Sequence, residues 1–379
     1  MHAMTQLPAH FWPLLALCLL AFVSLWWFVL GSSRAARRRM LRLRIAALGQ
    51  ETEAPSRPGE LQQSLAHARR THLQAPAPPV VRNPLYAIPW FVFIGDASAN
   101  VTGLLDAAVD TSSPALSEEH AERDDAFWHW RGLSSMIAIE TSPAALGDPA
   151  DPHERSLWYR ALLELAERRK RLPLNGIVVC VGVSTLLGDA AARESVATRV
   201  RTLVHEAAEH LGLLLPVYFF VTGLERLSGY DDVRNALPDE VLAQALGHRL
   251  VHEAPPRIEA DVELDVLFGE ITQRLHALRM TLLRNEQDPV RRQAIHAFVE
   301  EIRSLQPGLR DMAQRLFGNG HGPHSPRWRG LYLMAVPHDD HGGAFVHDLF
   351  ERFLPADQPL ARSRNPGGVS DSYFGSTQM

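Results

Sequence analysis

Asn100, Val101 and Thr102 end a loop, Gly95 to Thr102, that follows an apolar run of strand length, Trp90–Ile94 (WFVFI). A strand passing directly into a glycine-started loop and then a helix is the setting of a phosphate-binding loop, whose pattern is Gly-x-x-x-x-Gly-Lys-Ser/Thr. There the backbone N–H groups close around the phosphates, the lysine neutralises them, and the hydroxyl serves the magnesium ion. Aligned from Gly95, with Asp96 and Ser98 inside the loop, the second glycine is Asn100, the lysine is Val101 and the hydroxyl residue is Thr102. Asn tolerates a positive φ better than most residues, so Asn100 can still turn the chain. Val101 cannot replace an ammonium. Arg131 is a cation that could reach in, but it is bulkier and is not placed by the loop. Lys170 is the only lysine in the chain and belongs to the cluster ERRKR. That cluster reads as a solvated face of a helix expected over 155–171, with i,i+4 pairs.

The remaining chemistry-bearing groups carry less. His321, His324, His338, His341 and His347, with Asp339 and Asp340, gather near the C-terminus. They lie among glycines and prolines without a helical His-x-x-x-His pair, so no metal site is expected. Ser134, Ser135 and Ser184 lack a Gly-x-Ser-x-Gly context, and no hydrolase triad is expected. Phe127, Trp128 and Trp130 read as core packing, with a partner surface as the alternative.

These residues need a scaffold. The chain has 379 residues, 46% hydrophobic and 21% charged, enough for one large domain or two smaller ones. Its net charge of -5 gives no sign of a nucleic-acid binder. Cys18 and Cys180 form no disulfide framework. Apolar strand-like runs at 90–94, 135–139, 177–183 and 217–221 are separated by helical stretches, among them 190–213. Strands buried on both faces and separated by helices predict a parallel sheet in an α/β domain. From 258 to 318 the apolar spacing becomes helical; a strand at 329–336 and a helix at 344–353 follow. The expected organisation is a short N-terminus (1–10), a transmembrane helix (11–31), a juxtamembrane helix and Pro-rich linker (32–83), an α/β domain (84–256), a helical extension with a short strand (257–356) and a disordered tail (357–379).

The transmembrane expectation rests on Phe11–Leu30, which carries no charge and has Trp12, Trp26 and Trp27 near its ends. About 20 residues span the roughly 30 Å hydrocarbon core. No Lys or Arg precedes the run, whereas Arg34, Arg37, Arg38, Arg39, Arg42 and Arg44 follow it. The positive-inside rule then puts the N-terminus in the periplasm and the folded mass in the cytoplasm, with the Arg cluster near anionic headgroups.

PWFVFIGDASANVTGLL, FWHWRGLSSMIAIETS, LPLNGIVVCVGVSTLLG and LGLLLPVYFFVTGLERLSGY, with RGLYLMAVPHDD and FVHDLFERFLP downstream, occur in an order that resembles the IcmF-related (TssM-like) membrane-core family of type VI secretion. The resemblance covers about residues 84–356 and implies a P-loop GTPase-like parallel sheet with flanking helices. It also implies where nucleotide contacts are altered. Asn100-Val101-Thr102 stands for Gly-Lys-Thr. The acidic strand end, usually Asp-Thr-Ala-Gly, is Glu140-Thr141-Ser142-Pro143. The base-reading Thr-Lys-x-Asp is Thr222-Gly223-Leu224-Glu225. Three weakened contacts together imply a retained fold with lost or reduced nucleotide chemistry, in a shortened paralogue of the Gram-negative inner membrane.

The expected function is therefore non-enzymatic. A pseudo-GTPase-like domain would dock membrane-core and baseplate subunits of the secretion system, without a cofactor, a metal or nucleic acid. The alternatives are a GTP- or ATP-binding switch that uses Mg²⁺, and a regulator that competes with a full-length family member.

Overall fold

The computed structural model describes residues 11–49, 55–56, 59–74, 84–108, 126–147, 151–250, 260–318, 327–337 and 342–363; the side chains of 11, 26–34 and 68–74 are outside the description. The expectations for 1–10, 75–83, 364–379, His321, His324, His338, His341, Asp339 and Asp340 fall outside the described residues.

Seven strands form one sheet in the order β2-β3-β1-β4-β6-β8-β7. They are β1 (Trp90–Gly95), β2 (Trp128–Gly132), β3 (Ile137–Thr141), β4 (Gly176–Gly182), β6 (Pro216–Thr222), β7 (Leu246–Arg249) and β8 (Arg327–Leu333). The inner pairs β3-β1, β1-β4, β4-β6 and β6-β8 are parallel, and the edge strands β2 and β7 are antiparallel to their neighbours. All residues of β1, β4 and β6 are buried, as continuous apolar runs require when both faces are covered. Alternate side chains serve two cores. Trp90, Val92 and Ile94 face the larger one with Ile177, Val179, Phe219 and Val221. Phe91 and Phe93 face the smaller one with Val178, Cys180, Tyr218 and Phe220.

The larger core lies under α4 (Pro152–Arg168), α5 (Val183–Leu187), α6 (Ala190–Leu211), α9 (Ala260–Asn285), α10 (Pro289–Ser304) and α11 (Gln306–Phe317). The smaller lies under α3 (Val101–Ala108), a π-helical turn (Leu349–Phe353) and α12 (Leu354–Ala356). Short helices α7 (Tyr230–Asn235) and α8 (Asp239–Leu242) follow β6, and β5 (Leu213–Leu214) pairs with β9 (Arg362–Ser363).

Phe127, Trp128 and Trp130 pack in the larger core as expected, and Trp128 and Trp130 belong to a strand not expected there, β2, paired to β3 with Trp128 opposite Thr141 and Gly132 opposite Ile137. Several other expectations are corrected. The strand expected in the helical extension is β8. It lies between β6 and β7, so both the 84–256 and 257–356 segments build the sheet. Residues 357–363 of the expected tail are structured, with Asp357 only 1% exposed. The expected juxtamembrane helix is two elements. One is the end of α1 (Phe11–Ala47), the other is α2 (Glu60–Gln74).

The C-terminal part of α1 packs on the domain. Leu41 is buried, Arg42 pairs with Glu167 at 2.7 Å, and Arg37 donates to the Leu211 carbonyl at the end of α6. In the N-terminal part Trp12, Leu14, Leu15, Leu17, Leu19, Leu20, Phe22, Val23 and Leu25 are each between 41% and 70% exposed. The transmembrane helix expected over 11–31 finds no support here: among the described residues no helix is long and apolar enough to cross a membrane. Helix α2 covers the outer edge of β2. Ser64 Oγ donates to the Trp130 carbonyl at 2.7 Å, and Trp128 N–H donates to the Pro55 carbonyl at 3.1 Å. An edge strand covered in this way cannot pair with another chain.

Candidate functional site

The strand order reverses at β1, which has β3 on one side and β4 on the other. In doubly wound sheets the loops diverge at such a point, and the crevice at the carboxyl ends of the strands is the ligand site. The β1–α3 loop lies there. Around it are the ends of β3 (Glu140, Thr141), β4 (Gly182) and β6 (Thr222).

The loop is closed by its own side chains. Asp96, 8% exposed, directs its carboxylate inward. Oδ1 accepts the Gly182 N–H at 3.1 Å, and Oδ2 accepts the Ser98 N–H at 3.2 Å, the Ser98 hydroxyl at 2.5 Å and the Thr185 hydroxyl at 2.6 Å. Residues Ala97–Ala99 wind into a short 3-10 turn, so the Ala99 N–H bonds to the Asp96 carbonyl. Asn100 adopts the left-handed conformation (φ 45°, ψ 57°) that its residue type permits, and its Oδ1 accepts the Gly103 N–H at 3.1 Å. The amides of Ser98 and Ala99 in the loop, and of Gly103 in the first turn of α3, are thus all engaged. Packing is close enough that a Cβ on Gly182 would stand 2.1 Å from Ser98 Oγ, and one on Gly95 would stand 2.4 Å from Val101 Cγ2. Val101, at the lysine position, is 6% exposed and belongs to the smaller core.

The other two predicted contacts are also occupied internally. Thr102 donates its hydroxyl to Glu140 Oε1, and Arg131 Nε donates to Glu140 Oε2 at 2.8 Å. Arg131, itself buried, also pairs with the more exposed Asp106 on α3, so it is held between two carboxylates. Thr141 Oγ1 donates to the Phe93 carbonyl at 2.9 Å, which ties β3 to β1. In the loop after β6, Gly223 is left-handed (φ 94°) and Leu224 is fully buried. Glu225 accepts the Val336 N–H at 3.0 Å. Thr222 is buried with its hydroxyl unpartnered among the described residues. Beneath the loop, burial and then the carboxylates of Asp96 and Glu140 push the Cys180 thiol up, which keeps it protonated and unreactive.

Sequence reasoning placed Gly95, Asp96, Ser98, Asn100, Val101, Thr102, Glu140 and Thr141 around the β1–α3 loop, and Thr222, Gly223 and Glu225 at the end of β6 on the same carboxyl edge. It missed Gly182 and Thr185, which stand more than 80 residues downstream and carry no local signal. The cluster around Lys170 is also corrected. Lys170 is exposed and stands past the end of α4. Arg169 is wholly buried, not solvated. It lies 4.8 Å from the Tyr86 ring and 4.7 Å from the Trp90 ring and donates to Asn175 Oδ1 at 2.9 Å. Burial lowers its pKa to about 10. The segment leads into the amino end of β4, a strand length (about 20 Å) from the β1–α3 loop. Among the described residues no group of three or more His, Cys, Asp or Glu is placed to hold a metal ion.

A mostly parallel seven-stranded sheet with helices on both faces and a strand–loop–helix at its switch point defines a mixed α/β domain, here with the loop filled by protein groups. Residues 152–341 match the IcmF-related N-terminal domain, half of the chain, and the chain belongs to that family. It is also 27% identical over 263 residues to "Type VI secretion system component TssM1" of Pseudomonas aeruginosa. That match covers 67% of this chain and 24% of the relative, so the chain spans about a quarter of that protein's length. A crystal structure of an S. thermophilus NFeoB mutant bound to GDP aligns with 60% of this chain and 99% of that one. The alignment has 12% identity and a TM-score of 0.26, too low to speak to fold.

Proposed function

We propose that this chain is a membrane-anchored, non-enzymatic component of a type VI secretion system, its domain a pseudo-GTPase that docks other secretion subunits. The observation that carries this reading is the Asp96 carboxylate, which holds four hydrogen-bond donors inside the loop. A triphosphate entering there would meet a buried carboxylate of its own sign, the Ser98 and Ala99 amides already engaged, and Val101 in place of an ammonium. Magnesium would have to separate Thr102 from Glu140 and compete with Arg131. The family and the likeness to a protein named as a type VI secretion component support the assignment to that apparatus. The apolar run 11–30 and the exposed apolar residues of α1 support a single-pass inner-membrane anchor. The arginines that follow support a periplasmic N-terminus and a cytoplasmic domain.

One feature favours the alternative of a nucleotide switch. Thr102 and Glu140, the residue types that serve magnesium in such sites, are already in contact. The test uses the full chain in nanodiscs, titrated with fluorescent GTP and ATP analogues in magnesium, and a parallel pull-down of secretion subunits. The proposal expects no saturable nucleotide binding and a pull-down unchanged by nucleotide. Micromolar binding that Thr102→Ala abolishes would establish the switch instead.

A further inference from the structure

Helix α1 fixes which face of the domain meets the bilayer. Arg37 reaches the end of α6 at Leu211, Arg42 pairs with Glu167 near the end of α4, and Arg44 lies 5.8 Å over the ring of Tyr159, a further turn or two back along α4. Followed backward from Arg44 to Arg37, α1 therefore advances toward the C-terminal ends of α4 and α6. Those ends lie at the amino edge of the parallel strands, because each helix returns the chain to the start of the next strand. Arg37 follows Leu30, the end of the apolar run, by only seven positions, about 10 Å of helix. That distance is about one Debye length at moderate salt. The β1–α3 loop sits at the opposite, carboxyl edge of the sheet.

The amino edge is basic. Arg168, Lys170 and Arg171 follow or end α4, Arg327 begins β8, and Arg362 lies in β9 beside the entry to β6; all are exposed. Arg39 and Arg42 of α1 are exposed next to them. The acids at this edge are fewer. Glu167 is paired with Arg42, Glu164 is shared between Arg168 at 3.6 Å and Ser56, Asp357 is buried between arginines, and Glu209 is exposed.

Resting on the anchor reading above, we infer that this edge, through Arg168, Lys170, Arg171, Arg327 and Arg362, is a docking face for anionic phospholipid headgroups. The face holds the domain flat against the membrane and turns the filled loop, with the surface around it, toward the cytoplasm. Charge complementarity and the short reach of α1 select a lipid surface as the occupant. A basic cluster within a Debye length of an anionic leaflet is attracted to it, and salt screens the attraction.

The single lysine makes the test site-specific. Full-length protein is placed in nanodiscs of phosphatidylcholine alone or with about 30 mol% phosphatidylglycerol, and acylation of Lys170 by an impermeant amine reagent is timed by peptide mass spectrometry. Lys170→Arg identifies the labelled site. Acylation should be at least about threefold slower in the anionic discs, and the difference should vanish near 0.5 M salt and in the Arg168/Arg171/Arg327/Arg362→Glu variant. Equal rates in both discs at low salt, or a difference that survives high salt, overturn the inference. If the variant does not fold, the salt series alone decides. Alkaline extraction reads the anchor separately. Protein that stays in the membrane but labels equally removes only the docking face, whereas protein that is extracted removes the anchor reading.

Discussion

Asp96 Oδ1 accepts the Gly182 N–H at 3.1 Å, joining the loop after the first strand to the end of β4. The same carboxylate holds Ser98 and Thr185, so one side chain closes a loop of the type that elsewhere surrounds a phosphate. The acid supplies the negative charge that such a ring of donors selects, and it does so from within the chain.

Replacing Asp96 with Ala should therefore destabilise the domain by about 2–4 kcal/mol, since it strands a buried amide and a partly buried hydroxyl. Asp96→Asn should cost less, because its carbonyl oxygen can keep some of the donors. Thermal unfolding measures both. Equal stabilities for wild type and Asp96→Ala would mean that the carboxylate does not organise the loop.

Arg131 and Glu140 provide a second test, and their burial decides its sign. Arg131 is 7% exposed and Glu140 5%. Removing Arg131 leaves the buried Glu140 carboxylate without its counterion, which costs about 3–5 kcal/mol; removing Glu140 costs less, because Arg131 keeps Asp106 as a partner, and removing both costs less than the sum. Arg131→Met should lower the denaturant midpoint more than Glu140→Gln does, and the double variant should lower it by less than the sum of the two. Additive losses would show that the pair is uncoupled.

The parallel core was legible because both-face burial writes itself as unbroken apolar runs: WFVFI, IVVCVGV and VYFFV became β1, β4 and β6 within a residue or two. The edge strands were not. In β2 the sequence WHWRG mixes large aromatics with a histidine and an arginine that have partners on α2, α3 and β3, so no simple alternation appears. In β7, LGHR is too short and polar to stand out. Asn100 was legible as a left-handed residue from its type alone. The role of Asp96 was not, because its partners Gly182 and Thr185 are set by tertiary packing. Arg169 was misread because it stands in a run of charges, while Tyr86 and Trp90, which cover it, are more than 75 residues earlier.

Asp357 holds the C-terminal segment to the sheet. Its carboxylate accepts the Tyr218 hydroxyl at 2.7 Å and Arg329 Nε at 2.9 Å, and it pairs with Arg249. Burial raises the Tyr218 pKa, so the phenol stays a donor across ordinary pH. Asp357→Asn keeps the shape but removes the charge between two arginines. It should cost about 3–5 kcal/mol and speed proteolysis of residues 349–363. An unchanged melting temperature and digestion pattern would remove the segment's dependence on this ion pair.

His210 should make the joint between α1 and the domain sensitive to acid. It lies on α6, 7% exposed, edge-on to the Tyr159 ring of α4 at 5.5 Å, with Nε2 unpartnered among the described residues. Burial, and then the positive charge of Arg44 on α1, lower its pKa below 6.5; His205 on α6 adds to this, and Glu209 and Glu206 oppose it. A histidine whose folded pKa is depressed resists the proton that the unfolded chain accepts. Its contribution is intact above pH 6.5 and is lost as pH falls through 6.5 toward the folded value. The melting temperature of the wild type should thus drop more steeply from about pH 7.5 to about pH 5 than that of His210→Gln, which carries no titrating group there. At the acid end the proton would have to enter beside Arg44 with no acceptor for Nε2–H, so α1 should loosen first. Limited proteolysis between 48 and 59 should then rise with acid in the wild type. Parallel pH slopes for the two proteins would refute a titrating role for His210.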